Sequence, residues 1–136
     1  MTGVQTCALP ICPGIKPGSQ FTGNVVNYDF LPTFVDWAGG DPKAIPNIDG
    51  VSLVGYLRGR EPDAAFLNRN LYFHYPHYYA TTTPVSSVRV GDWKLMEYYE
   101  DGKLKLYNLA DDPGEKNNLA PSRREAAQNL RERLHV

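Results

Sequence analysis

Three histidines carry the most versatile chemistry in this 136-residue chain: His74, His77 and His135. His74 and His77 stand three apart, a spacing that two metal ligands use on a helix. The intervening Tyr75-Pro76 forbids a helix there, because proline lacks an N–H and clashes with the preceding turn. No third ligand is near in sequence, so no residue is assigned to a metal. Two readings of the pair stay open. Both imidazoles belong to an aromatic cluster at a strand end, or they line a polar pocket and donate hydrogen bonds to an anionic ligand.

Asp111-Asp112-Pro113-Gly114-Glu115 is the other concentration of functional groups. Pro-Gly favours a turn and Asp is favoured at its first position, so these carboxylates read as solvated turn residues rather than an acid–base pair. Arg123, Arg124, Arg131 and Arg133 read as a solvated helix face balanced by Glu125 and Glu132. No Ser or Cys stands in a nucleophile-elbow pattern, and there is no phosphate-binding loop or G-x-G-x-x-G. No catalytic residue is assigned, and the residues by themselves name no reaction.

The elements that must position these groups follow from composition and pattern. With 14 Lys+Arg against 15 Asp+Glu, a net charge of −1, the chain lacks the basic surplus that nucleic-acid binding needs. No apolar run approaches the ~20 residues of a membrane span. Cys7 and Cys12 fit neither a zinc site nor a disulfide framework. Length implies one domain-sized unit, rich in aromatics with nine Tyr, five Phe and two Trp.

Pro13-Gly14 and Lys16-Pro17-Gly18-Ser19 make a turn-rich opening. Residues 29–38 read as a short helix with Asp29 as N-cap and Phe30, Leu31, Phe34, Val35 and Ala38 as its apolar face. Residues 52–57 suggest one or two helical turns, with Leu53, Val54 and Leu57 inward and Gly59 as the stop.

Residues 71–75 read as an aromatic strand closed by Pro76, and 77–84 as an exposed excursion. Residues 86–90, 93–99 and 103–109 read as three meander strands joined at Gly91-Asp92 and Asp101-Gly102. In the last of them Leu104 and Leu106 face one side, and Lys103, Lys105 and Tyr107 the other. A closing helix follows, with Ser122 and Glu125 as a capping box and Ala126, Ala127, Leu130 and Leu134 as its stripe. The second half is therefore expected to be a small antiparallel sheet covered by one helix.

The order of short motifs narrows the reading. Pro13-Gly14-x-Lys16-Pro17-Gly18-Ser19 leads to Tyr28-Asp29-Phe30-Leu31-Pro32-Thr33 and Asp49-Gly50-Val51-Ser52-Leu53. Leu71-Tyr72-Phe73-His74-Tyr75-Pro76, Val88-Arg89-Val90-Gly91-Asp92-Trp93-Lys94-Leu95 and Leu106-Tyr107-Asn108-Leu109 follow, then Asp112-Pro113-Gly114-Glu115 and Asn118-Leu119-Ala120. In that order and spacing, residues 13–136 resemble the last third of a sulfatase of the formylglycine-dependent, arylsulfatase-like kind. The resemblance implies an α/β fold of the alkaline phosphatase superfamily, α+β in the part present here: the end of a large sandwich, then a small antiparallel sheet packed on a C-terminal helix. It divides the chain into 13–65, the end of the main domain, and 66–136, the C-terminal subdomain.

Residues 1–12 are set apart, since Met1 to Ile11 resemble a translated sequencing adapter. As a signal peptide they fit poorly, having no basic n-region and an apolar stretch broken by Pro10. Family members are often exported, which suggests a periplasmic or extracellular setting.

Family members hydrolyse sulfate esters with a formylglycine made from a Cys or Ser in a C/S-x-P-x-R motif and with a divalent cation, usually calcium. In family order those groups lie upstream of residue 13, so the resemblance implies a parent that needs calcium and formylglycine and a chain that holds neither. The expected partners are the missing catalytic portion and a sulfated small molecule or glycan. By the same analogy His77, then His74, with Tyr78 beside them, are the substrate-binding residues at the pocket rim. The apolar face of the 29–38 helix is expected to lack its sheet. A phosphonate or phosphodiester hydrolase tail and a free-standing carbohydrate-binding module are the competing assignments.

Overall fold

A computed structural model describes residues 14–135, so the readings of Cys7, Cys12 and residues 1–13 fall outside it. The chain divides into two compact units, Met1–Asp63 and Ala64–Val136.

In the first unit a 3₁₀ turn, Asn27–Asp29, runs into helix α1, Phe30–Trp37. Asp29 stands at the N-cap position of α1, as expected, but its side chain makes no cap bond to the helix. Its backbone is already helical (φ −72°, ψ −18°) and its side chain is fully buried. One carboxylate oxygen accepts from the Val26 N–H at 3.0 Å and the other from the Val51 N–H at 3.1 Å. A buried carboxylate is tolerated when backbone donors saturate it, so Asp29 ties residue 51 to the start of α1.

Thr33 completes the tie, donating to the Asp29 carbonyl at 2.6 Å and accepting from the Leu53 N–H at 3.0 Å. The inward side of α1 is therefore Pro32 and Thr33, while Phe30, Leu31 and Phe34 remain 49%, 55% and 67% exposed. The expected apolar face exists but is uncovered.

Helix α2, Val54–Leu57, follows directly. Leu53, Val54 and Tyr56 are its buried residues, so Tyr56 rather than Leu57 supplies the third inward side chain. Tyr56 stacks on Phe21 at 5.4 Å, and the Arg60 guanidinium lies 4.3 Å from the Tyr56 ring centroid. That double contact explains why the larger aromatic wins the inward position.

The second unit opens with α3, Ala64–Leu67, a single turn absent from the sequence-based expectation. Strands β1 (Asn70–Tyr75), β2 (Val85–Val90), β3 (Trp93–Tyr98) and β4 (Leu104–Asn108) form an antiparallel meander in that spatial order. Helix α4, Arg124–Leu134, packs on one face. Val88, Leu95 and Leu106 sit in one row across β2, β3 and β4, each fully buried, with Ala127 and Leu130 of α4 above them.

The free edge of β4 is stitched by the segment after it. The Asn118 Oδ1 accepts from the Leu106 N–H at 3.0 Å, and the Leu119 N–H donates to the Leu106 carbonyl at 2.8 Å. Pairing an edge this way removes the open row of backbone groups.

Two local expectations give way. The Ser122/Glu125 capping box is not formed: α4 starts one residue later than that box requires, with Arg123 as N-cap. The N–H groups of Ser122 and Arg123 both bond the Leu119 carbonyl, and the Ser122 hydroxyl donates to that same carbonyl at 3.1 Å. A tight turn has consumed the cap. On β4, Tyr107 is buried although it lies opposite Leu106, so that strand is covered on both faces at this point.

The arginines of α4 are not merely solvated either. Arg131 pairs with buried Glu97 of β3 at 2.7 Å, and His135 reaches its other oxygen at 2.6 Å. Arg123 lies 5.5 Å from the Trp93 ring centroid.

Two tests follow from this packing. A Cβ on Gly50 would stand 2.1 Å from the Tyr28 carbonyl oxygen, a backbone atom that cannot swing aside. Gly50→Ala is expected to cost about 3 kcal/mol in the first unit, read by urea unfolding through Trp37 fluorescence. An unchanged midpoint would show that residues 49–51 are not docked on the 3₁₀ turn.

Burial pushes the Glu97 carboxyl up, but hydrogen bonds and charge from Arg131 and His135 outweigh it and hold the group below its ordinary 4.5. A lowered folded value gives stability that is present above the unfolded value and lost as pH falls through the folded one. Glu97→Gln should therefore cost about 1–2 kcal/mol near neutrality, and the gap to the parent should narrow as pH falls below 4.5 and through the lowered folded value. A gap that stays constant with pH would mean the carboxylate contributes no net charge stabilisation.

Candidate functional site

The histidines and tyrosines singled out by sequence gather at one end of the second unit's sheet. Two turns converge there: the 76–84 excursion between β1 and β2, and the 99–103 hairpin turn between β3 and β4. The Tyr99 N–H donates to the Pro84 carbonyl at 3.0 Å and so ties the two together. The excursion is an exposed loop with one internal bridge, Tyr79 to Thr82. Pro76 ends β1 because it offers no ladder donor, and the chain turns outward there.

His74 lies on β1 directly opposite Ser86 of β2. Its Nδ1 is 2.9 Å from the Ser86 Oγ and 2.9 Å from the Tyr99 Oη, and the two hydroxyls hydrogen-bond to each other. The Tyr99 ring leans over the imidazole at 5.9 Å and 57°.

His77 is in the loop, where its ring meets Tyr75 edge-on at 5.6 Å. Tyr78 donates from its hydroxyl to the Glu100 Oε1 at 2.8 Å. That hydrogen bond, with the nearby negative charge, raises the phenol above its ordinary value. Tyr78 and Tyr79 are about 70% exposed (70% and 69%), and Tyr75 is also exposed, so aromatic faces stand open to a ligand.

His74, His77 and Tyr78 thus share one edge, each held by a different neighbour. Ser86, Tyr99 and Glu100 are the members that sequence reasoning missed. The only available signal for Ser86 was the β1–β2 register, which a loop of nine residues conceals, and Tyr99 and Glu100 come from a different hairpin.

The carboxylate run behaves as turn chemistry. The Glu115 N–H donates to the Asp112 carbonyl at 3.1 Å, closing the turn over Pro113-Gly114. Backbone N–H groups of Asn117 and Lys116 hold the Asp112 carboxyl below its ordinary value. Glu115 is not simply solvated, since it pairs with Lys94 at 2.7 Å.

Among the described residues no three His, Cys, Asp or Glu side chains form a group able to hold a metal ion. The arrangement offers an imidazole and a phenol as hydrogen-bonding groups, flanked by exposed rings that suit a sugar face.

The comparisons bear on that chemistry. The family model described as N-sulphoglucosamine sulphohydrolase, C-terminal, matches residues 6–136. An N-acetylglucosamine-6-O-sulfatase of Bacteroides thetaiotaomicron is 33% identical over 108 residues, 77% of this chain and 19% of the relative. A Δ4,5-hexuronate-2-O-sulfatase of the same organism is 34% identical over 79% of this chain and 22% of its own length.

A solved structure in complex with its substrate D-glucosamine-2-N,6-O-disulfate superposes with a TM-score of 0.70 at 29% identity, over 90% of this chain and 25% of that one. A phosphonate monoester hydrolase from Silicibacter pomeroyi superposes at 0.61 with 26% identity, over 90% of this chain and 28% of its own. The chain spans about a fifth of the length of the curated relatives named here.

One consequence of the edge geometry is directly measurable. Glu100→Gln removes the charge that raises Tyr78 while keeping an acceptor, so the Tyr78 phenol should titrate at lower pH. Phenolate absorbance of the variant against the parent reads this. An identical titration would mean that Tyr78 and Glu100 do not meet in solution.

Proposed function

This chain belongs to the N-sulphoglucosamine sulphohydrolase C-terminal family, and on that premise we propose that it is the substrate-rim part of an enzyme that hydrolyses sulfate esters on sugars. The family match from residue 6 to residue 136 is the observation that carries the reading. It is supported by relatives above 30% identity that are named as sulfatases, two of them for particular positions on sugars.

The division of labour follows from chemistry. Cleaving a sulfate ester requires a nucleophile and strong stabilisation of charge on the sulfate oxygens, which metal and cationic groups provide. We assign that work to the portion equivalent to the rest of the relatives' length, including the formylglycine and calcium expected of the family. The present chain keeps the work of binding the sugar. His77 and His74 offer ring nitrogens to sulfate or hydroxyl oxygens, and Tyr78 with Tyr75 and Tyr79 offers aromatic faces to the sugar ring.

A second reading has its own observation: the phosphonate monoester hydrolase likeness at a TM-score of 0.61. The two readings differ in the ligand, a tetrahedral sulfate on a sugar or a phosphonate monoester.

One experiment separates them using the 136-residue chain as it is. NMR titration with glucosamine 6-sulfate is expected to shift the His77 and Tyr78 resonances, while a phenylphosphonate monoester leaves them in place. Response to the phosphonate alone would transfer the assignment to the second reading, and response to neither would remove both. The same chain should show no turnover of an aryl sulfate with added calcium. Metal-dependent turnover would overturn the division of labour.

A further inference from the structure

Building on the proposed substrate rim, we infer that Ser86 and Tyr99 are positioning residues that hold His74 with its Nε2–H directed outward, so that this edge selects an anionic acceptor oxygen. The inference starts from the closed triangle of His74 Nδ1, Ser86 Oγ and Tyr99 Oη, with both imidazole contacts at 2.9 Å and the hydroxyls in contact with each other.

Three polar atoms in mutual contact must share protons consistently. A phenol is a stronger donor than an alkyl hydroxyl, so Tyr99 donates to Ser86 and Ser86 donates to Nδ1. Two hydroxyl protons then serve two of the three contacts, and the third, Tyr99 Oη to Nδ1, carries no proton of its own. If Nδ1 carried the ring proton, the imidazole nitrogen, a stronger acceptor than either hydroxyl oxygen, would be lost to both hydroxyls, and one hydroxyl proton would have to leave the triangle. Ser86 is buried on β2, and a buried hydroxyl is kept in a hydrogen bond. The neutral imidazole therefore accepts at Nδ1 and bears its proton on Nε2.

The ring is also fixed in direction. Ser86 is the cross-strand partner of His74, so the ladder sets where its hydroxyl stands, and Tyr99 is tied through its N–H to the Pro84 carbonyl. Nδ1 is occupied, His74 is exposed, and Nε2 has no protein partner among the described residues. An outward N–H donor without an acceptor in the protein is suited to a ligand oxygen. The oxygens of a sulfate group accept and do not donate, which matches this donor better than a group that must itself donate.

The test separates positioning from ligand choice. In the full chain labelled with ¹⁵N, imidazole correlation spectra report the tautomer of each histidine, and His74→Gln assigns the signal. His74 is expected in the Nε2–H form, with Ser86→Ala and Tyr99→Phe together releasing it into a mixture of tautomers. A dominant Nδ1–H form in the unaltered chain, or a tautomer indifferent to both substitutions, overturns the inference. The unaltered chain decides that point even where a variant fails to fold.

Titration with glucosamine 6-sulfate then tests the ligand. Its apparent affinity should fall about fivefold in Tyr99→Phe, the worth of one oriented hydrogen bond, whereas unsulfated glucosamine should not distinguish the two proteins. If the Nε2–H form holds but no sulfated sugar moves the His74 signal, the substrate-rim reading fails together with the ligand assignment, and the positioning by Ser86 and Tyr99 stands alone.

Discussion

The register of the β1–β2–β3 ladder is the constraint on which the second unit depends. It places His74, Ser86 and Glu97 in one row across three strands, next to the row of Val88, Leu95 and Leu106. Side chains alternate faces with a period of two, so a slip of one residue would send both rows to the opposite side. The buried row sits under Ala127 and Leu130 and resists that slip, since moving three buried side chains to the surface would lose their transfer free energy. The polar row is carried along. The core fixes the register, and the register delivers His74 to a buried hydroxyl and Glu97 to the end of α4.

The first unit reaches the same specificity by different means. Its helices are short, and the long side chains of α1 face outward, so apolar burial cannot be its main constraint. Polar groups take that part instead. The Asp29 carboxylate and the Thr33 hydroxyl between them receive the backbone N–H groups of Val26, Val51 and Leu53, and Ser52 donates to Asp36. Gly50 passes so close to the Tyr28 carbonyl that no side chain fits between. The Tyr28-Asp29 and Asp49-Gly50-Val51-Ser52-Leu53 motifs are the two halves of this junction, which gives their joint presence in the sequence a mechanical cause.

Legibility followed interaction range. The strands and the stripe of α4 were readable because alternation and the 3.6 period are local signals, and Asp101-Gly102 marked its hairpin. The α4 cap and the role of Asp29 were misread for a shared reason. Each depends on competition between a local partner and another one, and the winner is set by surrounding structure: the Leu119 carbonyl for Ser122, the Val51 N–H for Asp29. Arg131 looked like one of four equivalent helix cations until the register of β3 brought Glu97 beneath it. At the candidate site the imidazoles were readable as residue types able to bind an anion, whereas their supports, Ser86, Tyr99 and Glu100, came from other strands and turns.

A shared fold with sulfatases and with a phosphonate monoester hydrolase restricts what the backbone alone can decide. The same meander and helix serve both, so ligand choice has to reside in side chains that the scaffold leaves variable. The sheet end meets that requirement. Its supports are built into the ladder and the hairpin turn, while the groups they hold stand on an exposed loop or at a strand end. An imidazole fixed through one nitrogen loses little further freedom when the other meets a ligand, so orientation made during folding reduces the entropic cost of binding. A loop histidine such as His77, held by one edge-on ring contact, retains more freedom to lose. The two histidines that looked equivalent in the sequence are therefore unequal in the fold: under the proposed function, His74 would direct a sulfate oxygen and His77 would adapt to the sugar that carries it.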